Sequence, residues 1–281
     1  IFIPNEYDKL MSVIGAEGTN AYTSTDMTVY VEDIPSNQIE NWARIEADRF
    51  MHPVIRGFHT ELETVYEEKN MSLTNDFRKS LEAMDGILFA DHPYGTQTVL
   101  GTQEHLKNPS VTNIKNYHKT YYVPNNMAIC LSGDFDPDEM LSIIEKYFGQ
   151  MEPNKELPEV DFETKTVIES PVSKEVYGLD AENIMIGWKY PGAGTQEAMV
   201  ADVVSYILSN GSAGLIDLNL NQQQKVLGAQ SMSYTRPDAG EFLIMANPKQ
   251  GQTLDEVKDL VLAEIAKLRN GEFDEGLLTG T

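Results

Sequence analysis

Residues 15–34 read GAEGTNAYTSTDMTVYVEDI, and residues 228–247 read GAQSMSYTRPDAGEFLIMAN. Each stretch runs from Gly-Ala through a polar segment and a Tyr-Thr pair into an alternating apolar run. In both, a capped amphipathic helix follows, starting near Ser36 and near Thr253. A pattern that recurs this way marks one structural unit used twice, so it sets the domain plan before any single residue is weighed. The second copy has a strand (Ile184 to Tyr190) and a helix (Gln196 to Leu208) ahead of its block. The first copy has almost nothing ahead, since residue 1 is Ile, but it continues much further behind. The repeat therefore predicts a piece of a longer protein in two homologous units, 1–160 and 161–281. The first would lack its opening strand and helix, and the second its C-terminal part.

Local signals fill in the units. Asn5 can cap a short helix with Tyr7, Leu10, Met11 and Ile14 on one face, stopped by Gly15. Met27 to Ile34 alternates as a strand, with Met27, Val29 and Val31 on one side. Ser36 caps a helix burying Ile39, Trp42, Ile45 and Phe50, which Met51-His52-Pro53 breaks. A long helical pattern runs from Phe58 to Met84, and another helix from Val111 to Tyr121. Met127 to Ser132 reads as a buried strand carrying Cys130. A helix opens at Asp136-Pro137 and ends at Gly149. Residues 150–172 hold three prolines and six acids and read as a crossing between units. Beyond it come strand 184–190, helix 196–208, a short helix near Leu215 to Gln222, strands 228–235 and 241–247, and a last helix from Thr253. Strands and helices come in blocks. The fold class predicted is α+β, each unit a largely antiparallel sheet with helices on one face.

Composition excludes several functions. The net charge is −23, which repels phosphate backbones and disfavours nucleic-acid binding and docking on anionic lipid. The single cysteine rules out an intrachain disulfide and a cysteine-based zinc site, and fits cytosol or a bacterial envelope equally. No apolar stretch approaches the length of a membrane span.

The sharpest constellation is Glu61 and Glu68 in FHTELETVYEEKN. Seven residues turn a helix through about 700°, two turns less roughly 20°, with a rise of about 10 Å. Both carboxylates thus project from one face. A carboxylate can bind zinc or orient a neighbouring ligand. Spacing alone equally describes an acidic helix start, favoured by the helix dipole, and Glu63 and Glu67 stand beside them. The five histidines (52, 59, 92, 105, 118) form no His-x-x-x-His or His-x-x-Glu-His pair and read as structural or surface residues. No Gly-x-Ser-x-Gly elbow or phosphate-binding loop is present. Thr19-Asn20-Ala21-Tyr22-Thr23 precedes the alternating run. Its small and polar side chains would suit an exposed edge to which an extended peptide adds as a strand, or an ordinary strand entry.

Four ordered blocks carry a resemblance: GTNAYTSTDMTVY, Glu61 and Glu68 in ELETVYEEKN, HPYG at 92–95, and YVPNNMAICLSGDFDP at 122–137. Together they resemble the insulinase/pitrilysin family of zinc peptidases, the inverted-motif zincins that include the mitochondrial processing peptidase. The second unit resembles that family's homologous non-catalytic companion domain. The resemblance implies a zinc endopeptidase that cleaves peptides or unfolded polypeptide in extended conformation. It implies Glu68 as a zinc ligand, Glu61 as a carboxylate supporting the site, and Asn20 and Ala21 on the strand that pairs with substrate backbone. The family's His-x-x-Glu-His, which supplies two zinc ligands and the general base, occurs nowhere in residues 1–281. The expectation is therefore zinc in the intact protein and an inactive, zinc-free chain. Its partners would be a peptide substrate and either the remainder of the same protein or another copy. The alternative is a non-catalytic, peptidase-like partner subunit. A further expectation is that the first unit either shows an open sheet edge or buries it against another chain.

Overall fold

The computed structural model describes residues 6–160 and 162–279. Along the chain the helices are α1 (Glu6–Val13), α2 (Ile39–Met51), α3 (Phe58–Ser72), α4 (Asp76–Leu88), α5 (Pro93–Thr96), α6 (Gln103–Lys107), α7 (Val111–Tyr121), α8 (Pro137–Phe148), α9 (Gln196–Leu208), α10 (Leu254–Arg269) and α11 (Gly276–Thr279). The strands are β1 (Glu17–Thr23), β2 (Thr28–Asp33), β3 (Ile184–Pro191), β4 (Gly228–Thr235) and β5 (Ala239–Asn247). This is the mixed helix and antiparallel-sheet class read from the sequence. Packing divides the chain into one unit of Ile1–Lys69 with Val99–Asp161 and another of Asn70–Thr98 with Phe162–Thr281. The excursion of residues 70–98 into the second unit is not predicted by the repeat.

In the first unit β1 and β2 form an antiparallel hairpin with a register shift between Glu17 and Asn20. Every residue of β1 is exposed, so the sheet ends in an open edge. Of the apolar set Met27, Val29 and Val31, Met27 and Val31 are exposed and Val29 is half-buried, while Tyr30 and Glu32 on the opposite face are half-buried. The core lies between α1, α2 and α8, around Met11, Trp42 and Ala43 with Ile143, Tyr147 and Phe148 packed against them.

Four local expectations are corrected. Residues 127–132 form no strand, and Cys130 is exposed rather than buried. A strand needs a ladder partner, and the hairpin pairs only with itself among the described residues. The pattern from Phe58 to Met84 is two helices. Thr74 Oγ1 donates to the Met71 carbonyl and Asn75 Oδ1 accepts from Arg78 N, so local side-chain bonds end α3 and cap α4. Phe77, placed in that pattern, is exposed. Ser36 makes no capping bond. It opens a short 3-10 turn, Ser36–Gln38, that leads into α2. Asn5, read as the cap of α1, lies outside the described residues.

In the second unit the strand order is β3-β5-β4, all antiparallel. On one face of β5, Phe242, Ile244 and Ala246 pack with Leu208, Leu215, Ile216 and Leu220 and with Val257 and Val261 of α10. Against the other face lies α4. Met84 meets Gly187 of β3, where a Cβ would sit 2.7 Å from its sulfur. Leu88 and Phe89 cluster with Tyr94 and Ala239. Two carboxylates hold the extended crossing 162–180 against the same segment. Asp76 accepts from Leu179 N and from Asp180 N at 2.8 Å. Asp91 accepts from Lys165 N at 2.7 Å and from the hydroxyls of Thr166 and Thr164. These bonds, with the apolar cluster, are why residues 70–98 leave the first unit. The Thr253/Glu256 capping box opens α10 as the sequence predicts.

Candidate functional site

Glu61 and Glu68 stand on α3, and both are exposed. Neither carboxylate has a hydrogen-bond or ion-pair partner among the described residues. Between them, Thr64 Oγ1 donates to the Thr60 carbonyl and is turned back onto its own helix. Asn20 and Ala21 stand on β1, opposite Val31 and Tyr30 of β2. The Ala21 N–H donates to Asn20 Oδ1 at 2.8 Å and so faces the free edge rather than β2. The two pairs sit on separate elements with no hydrogen bond between them. Among the described residues, no group of three or more His, Cys, Asp or Glu side chains is arranged to hold a metal. One exposed carboxylate is one ligand where a protein zinc site takes three or four, so the residues present do not by themselves fit a zinc centre.

Sequence reasoning passed over two buried charged clusters. The first lies under the hairpin. Glu46, 2% exposed, binds Arg49 through Nε at 3.1 Å and through Nη2. The Arg49 guanidinium carbon lies 4.3 Å from the Tyr30 ring centre, 4.3 Å from that of Phe50 and 5.1 Å from that of Tyr7. Tyr7 donates to Glu32 at 3.0 Å, and the Tyr30 and Tyr122 hydroxyls are 3.3 Å apart. Burial, then the Glu46 charge, raises the Glu32 carboxyl above its ordinary range. Burial and the bond to Tyr122 push Tyr30 up to about 12. His118 stacks on Tyr122 at 4.5 Å, and burial together with Arg49 lowers its imidazole.

The second cluster lies in the other unit. Arg236, 4% exposed, donates to Asp85 at 2.9 Å and sits 3.6 Å from Glu241, which is 1% exposed. Three rings surround its guanidinium: Tyr94 at 4.2 Å, Phe89 at 4.6 Å and Tyr234 at 5.3 Å. His92, read as structural or surface, is buried and accepts from Tyr94 N through Nδ1, capping α5. The signal for both clusters was a charge inside an apolar period: Glu32 in VYVED and Glu241 in GEFLIM.

The family profile of the peptidase M16 inactive domain matches residues 110–280. The chain belongs to the peptidase M16 family, in agreement with the insulinase/pitrilysin resemblance. It is 22% identical to the zinc protease PqqE of Helicobacter pylori over 97% of its length. It is 24% identical over 89% to the probable mitochondrial-processing peptidase subunit beta of Schizosaccharomyces pombe. It spans 63% and 57% of the lengths of these two relatives. The crystal structure of a protease from Helicobacter pylori matches the fold with a TM-score of 0.85 at 21% identity, over 98% of this chain and 68% of that one. Relatives of this chain are thus zinc proteases, and no helix among the described residues is long and apolar enough to cross a membrane.

Proposed function

We propose that this chain is part of a zinc-dependent endopeptidase that cleaves peptides or unfolded polypeptide bound in extended conformation. The carrying observation is the open edge of β1, seven exposed residues with the Ala21 amide directed outward. A peptide backbone can add to such an edge as a further strand, and alternate side chains then set the preference. In this reading Asn20 and Ala21 receive substrate, Glu68 is one zinc ligand, and Glu61 orients the site from behind. The family's two histidine ligands and its general base come from sequence outside residues 1–281. Zinc, if held by the full ligand set, would supply Lewis-acid activation of water. This chain's own part is to present the substrate strand and one unpartnered carboxylate. Alone it cuts nothing. Its partners are the peptide and either the rest of the same protein or another copy.

The second reading is a non-catalytic partner subunit of the same fold, favoured by the match to a domain described as inactive. The test is hydrolysis of unfolded β-casein with zinc present, by this chain and by the whole protein, each with and without a chelator. Cleavage by the whole protein alone, abolished by the chelator, supports the peptidase. A whole protein that neither cuts nor binds zinc supports the partner subunit.

A further inference from the structure

The structure assigns to Arg49 the task of positioning the peptide-binding edge, an inference that rests on the reading of β1 as that edge. The two ends of the hairpin are anchored by Ala16 and Ile34, which pack against the Met11, Trp42 and Ala43 core. All of β1 is exposed, and on the outward face Met27 before β2 and Val31 within it are uncovered while Val29 between them is half-buried. What holds β2 from beneath is the pair of inward residues Tyr30 and Glu32. Both lead to one side chain. The guanidinium of Arg49 lies over the Tyr30 ring and over the Tyr7 ring, and Tyr7 in turn donates to Glu32. Phe50 meets the Tyr30 ring edge-on at 5.4 Å, and Tyr122 closes the set through the two hydroxyls.

Arg49 is itself fixed. Glu46, on the same helix and almost fully buried, grips it through two nitrogens. A planar guanidinium can accept that grip and still offer its faces to aromatic rings, which an ammonium does less well. The link to substrate is one residue long. Tyr30 is the register partner of Ala21, so the ring that Arg49 holds lies directly across the hairpin from the amide that faces the free edge. A peptide strand adding to β1 must meet that amide within hydrogen-bond tolerance, a few tenths of an ångström. Between the anchored ends, the Arg49 clasp is what fixes the middle of this edge, where Ala21 stands. Arg49 touches no substrate and is a positioning residue.

The test uses the 281-residue chain with fluorescein-labelled, unfolded β-casein as probe. It compares R49M, which keeps an apolar stem, R49K, which keeps a cation over Tyr30, and A21P, which removes the outward N–H. Proline is tolerated at such an edge position, because that N–H has no ladder partner to lose. R49M should weaken casein binding about tenfold, the scale of one lost cation–π contact with its ion pair. It should also speed amide exchange in residues 17–33 while leaving α8 protected. R49K should recover part of both losses. Unchanged binding and unchanged hairpin exchange in R49M, with A21P abolishing binding, would overturn the role of Arg49 and leave the edge intact. If A21P binds casein as well as the unaltered chain, the edge reading itself fails. Loss of protection in α8 as well as the hairpin in R49M, without recovery in R49K, would make Arg49 a general fold residue and also overturn the proposal.

Discussion

Glu241 occupies the central strand of its sheet, 1% exposed, with one cation within reach and that cation already bonded to Asp85. Its second oxygen, Oε2, has no hydrogen-bond partner among the described residues. Its strand neighbours are Lys189 and Tyr234 in register, and Lys189 is engaged with Thr164 and Thr166. Burial first, and then the Asp85 charge, push the Glu241 carboxyl up to about 7. A carboxyl raised on folding stabilises the fold below its unfolded value, and that contribution is lost as pH rises through the folded value. Urea unfolding should therefore show stability falling between pH 4.5 and 7, by roughly 3 kcal/mol at most, then levelling. E241Q should flatten that slope, and a slope that survives the substitution would sink the assignment. Asp91 has the opposite sign. The Thr166 hydroxyl and the other donors hold it down at about 2, so its contribution is present above the ordinary carboxylate range and lost as pH falls through 2.

At the scale of elements, α4 is the joint on which the second unit's outer face depends. Leu88 is 2% exposed among Phe89, Tyr94 and Ala239, and truncation to alanine should cost about 2–5 kcal/mol in urea unfolding. On the same sheet a Cβ on Gly240 would lie 2.0 Å from the Tyr190 ring, so G240A should cost about 1–3 kcal/mol. A neutral result for either would mean that the strand and helix repack freely. Much of this layout is legible in the sequence. Helix Gln196–Leu208 and strand β4 fall where their periods place them, and Thr253 with Glu256 marks the start of α10. These elements are specified by local period and capping, which a sequence displays directly. The break between α3 and α4 was not legible, because Phe77, Leu81 and Met84 continue the helical period while the stop lies in the side-chain bonds of Thr74 and Asn75. Nor was the loss of the strand at 127–132, since a run such as MAICLS reports apolar character but not whether a ladder partner stands beside it. Spacing places Glu61 and Glu68 on one helix face, while their roles, like those of Asn20 and Ala21, rest on the resemblance. Arg49 and Arg236 escaped because the partners that enclose them from other elements, Tyr30 and Tyr7 for Arg49 and Asp85 for Arg236, are distant in sequence and meet them only in the fold.

For the whole molecule, the division of labour inside an M16 peptidase is the point at issue. The chain carries an exposed strand on one element and an exposed carboxylate, Glu68, on another, and among the described residues no group of side chains is arranged to hold a metal. A net charge of −23 suits binding of neutral or basic polypeptide over nucleic acid. The account stands or falls on Glu68. The most direct measurement is the zinc content of the whole protein, with chelator-sensitive cleavage of β-casein followed in parallel, for the unaltered protein, E68Q and the neighbouring control E67Q. The account predicts about one zinc per chain and activity in the unaltered protein and E67Q, and loss of both in E68Q. Full zinc and full activity in E68Q would contradict it.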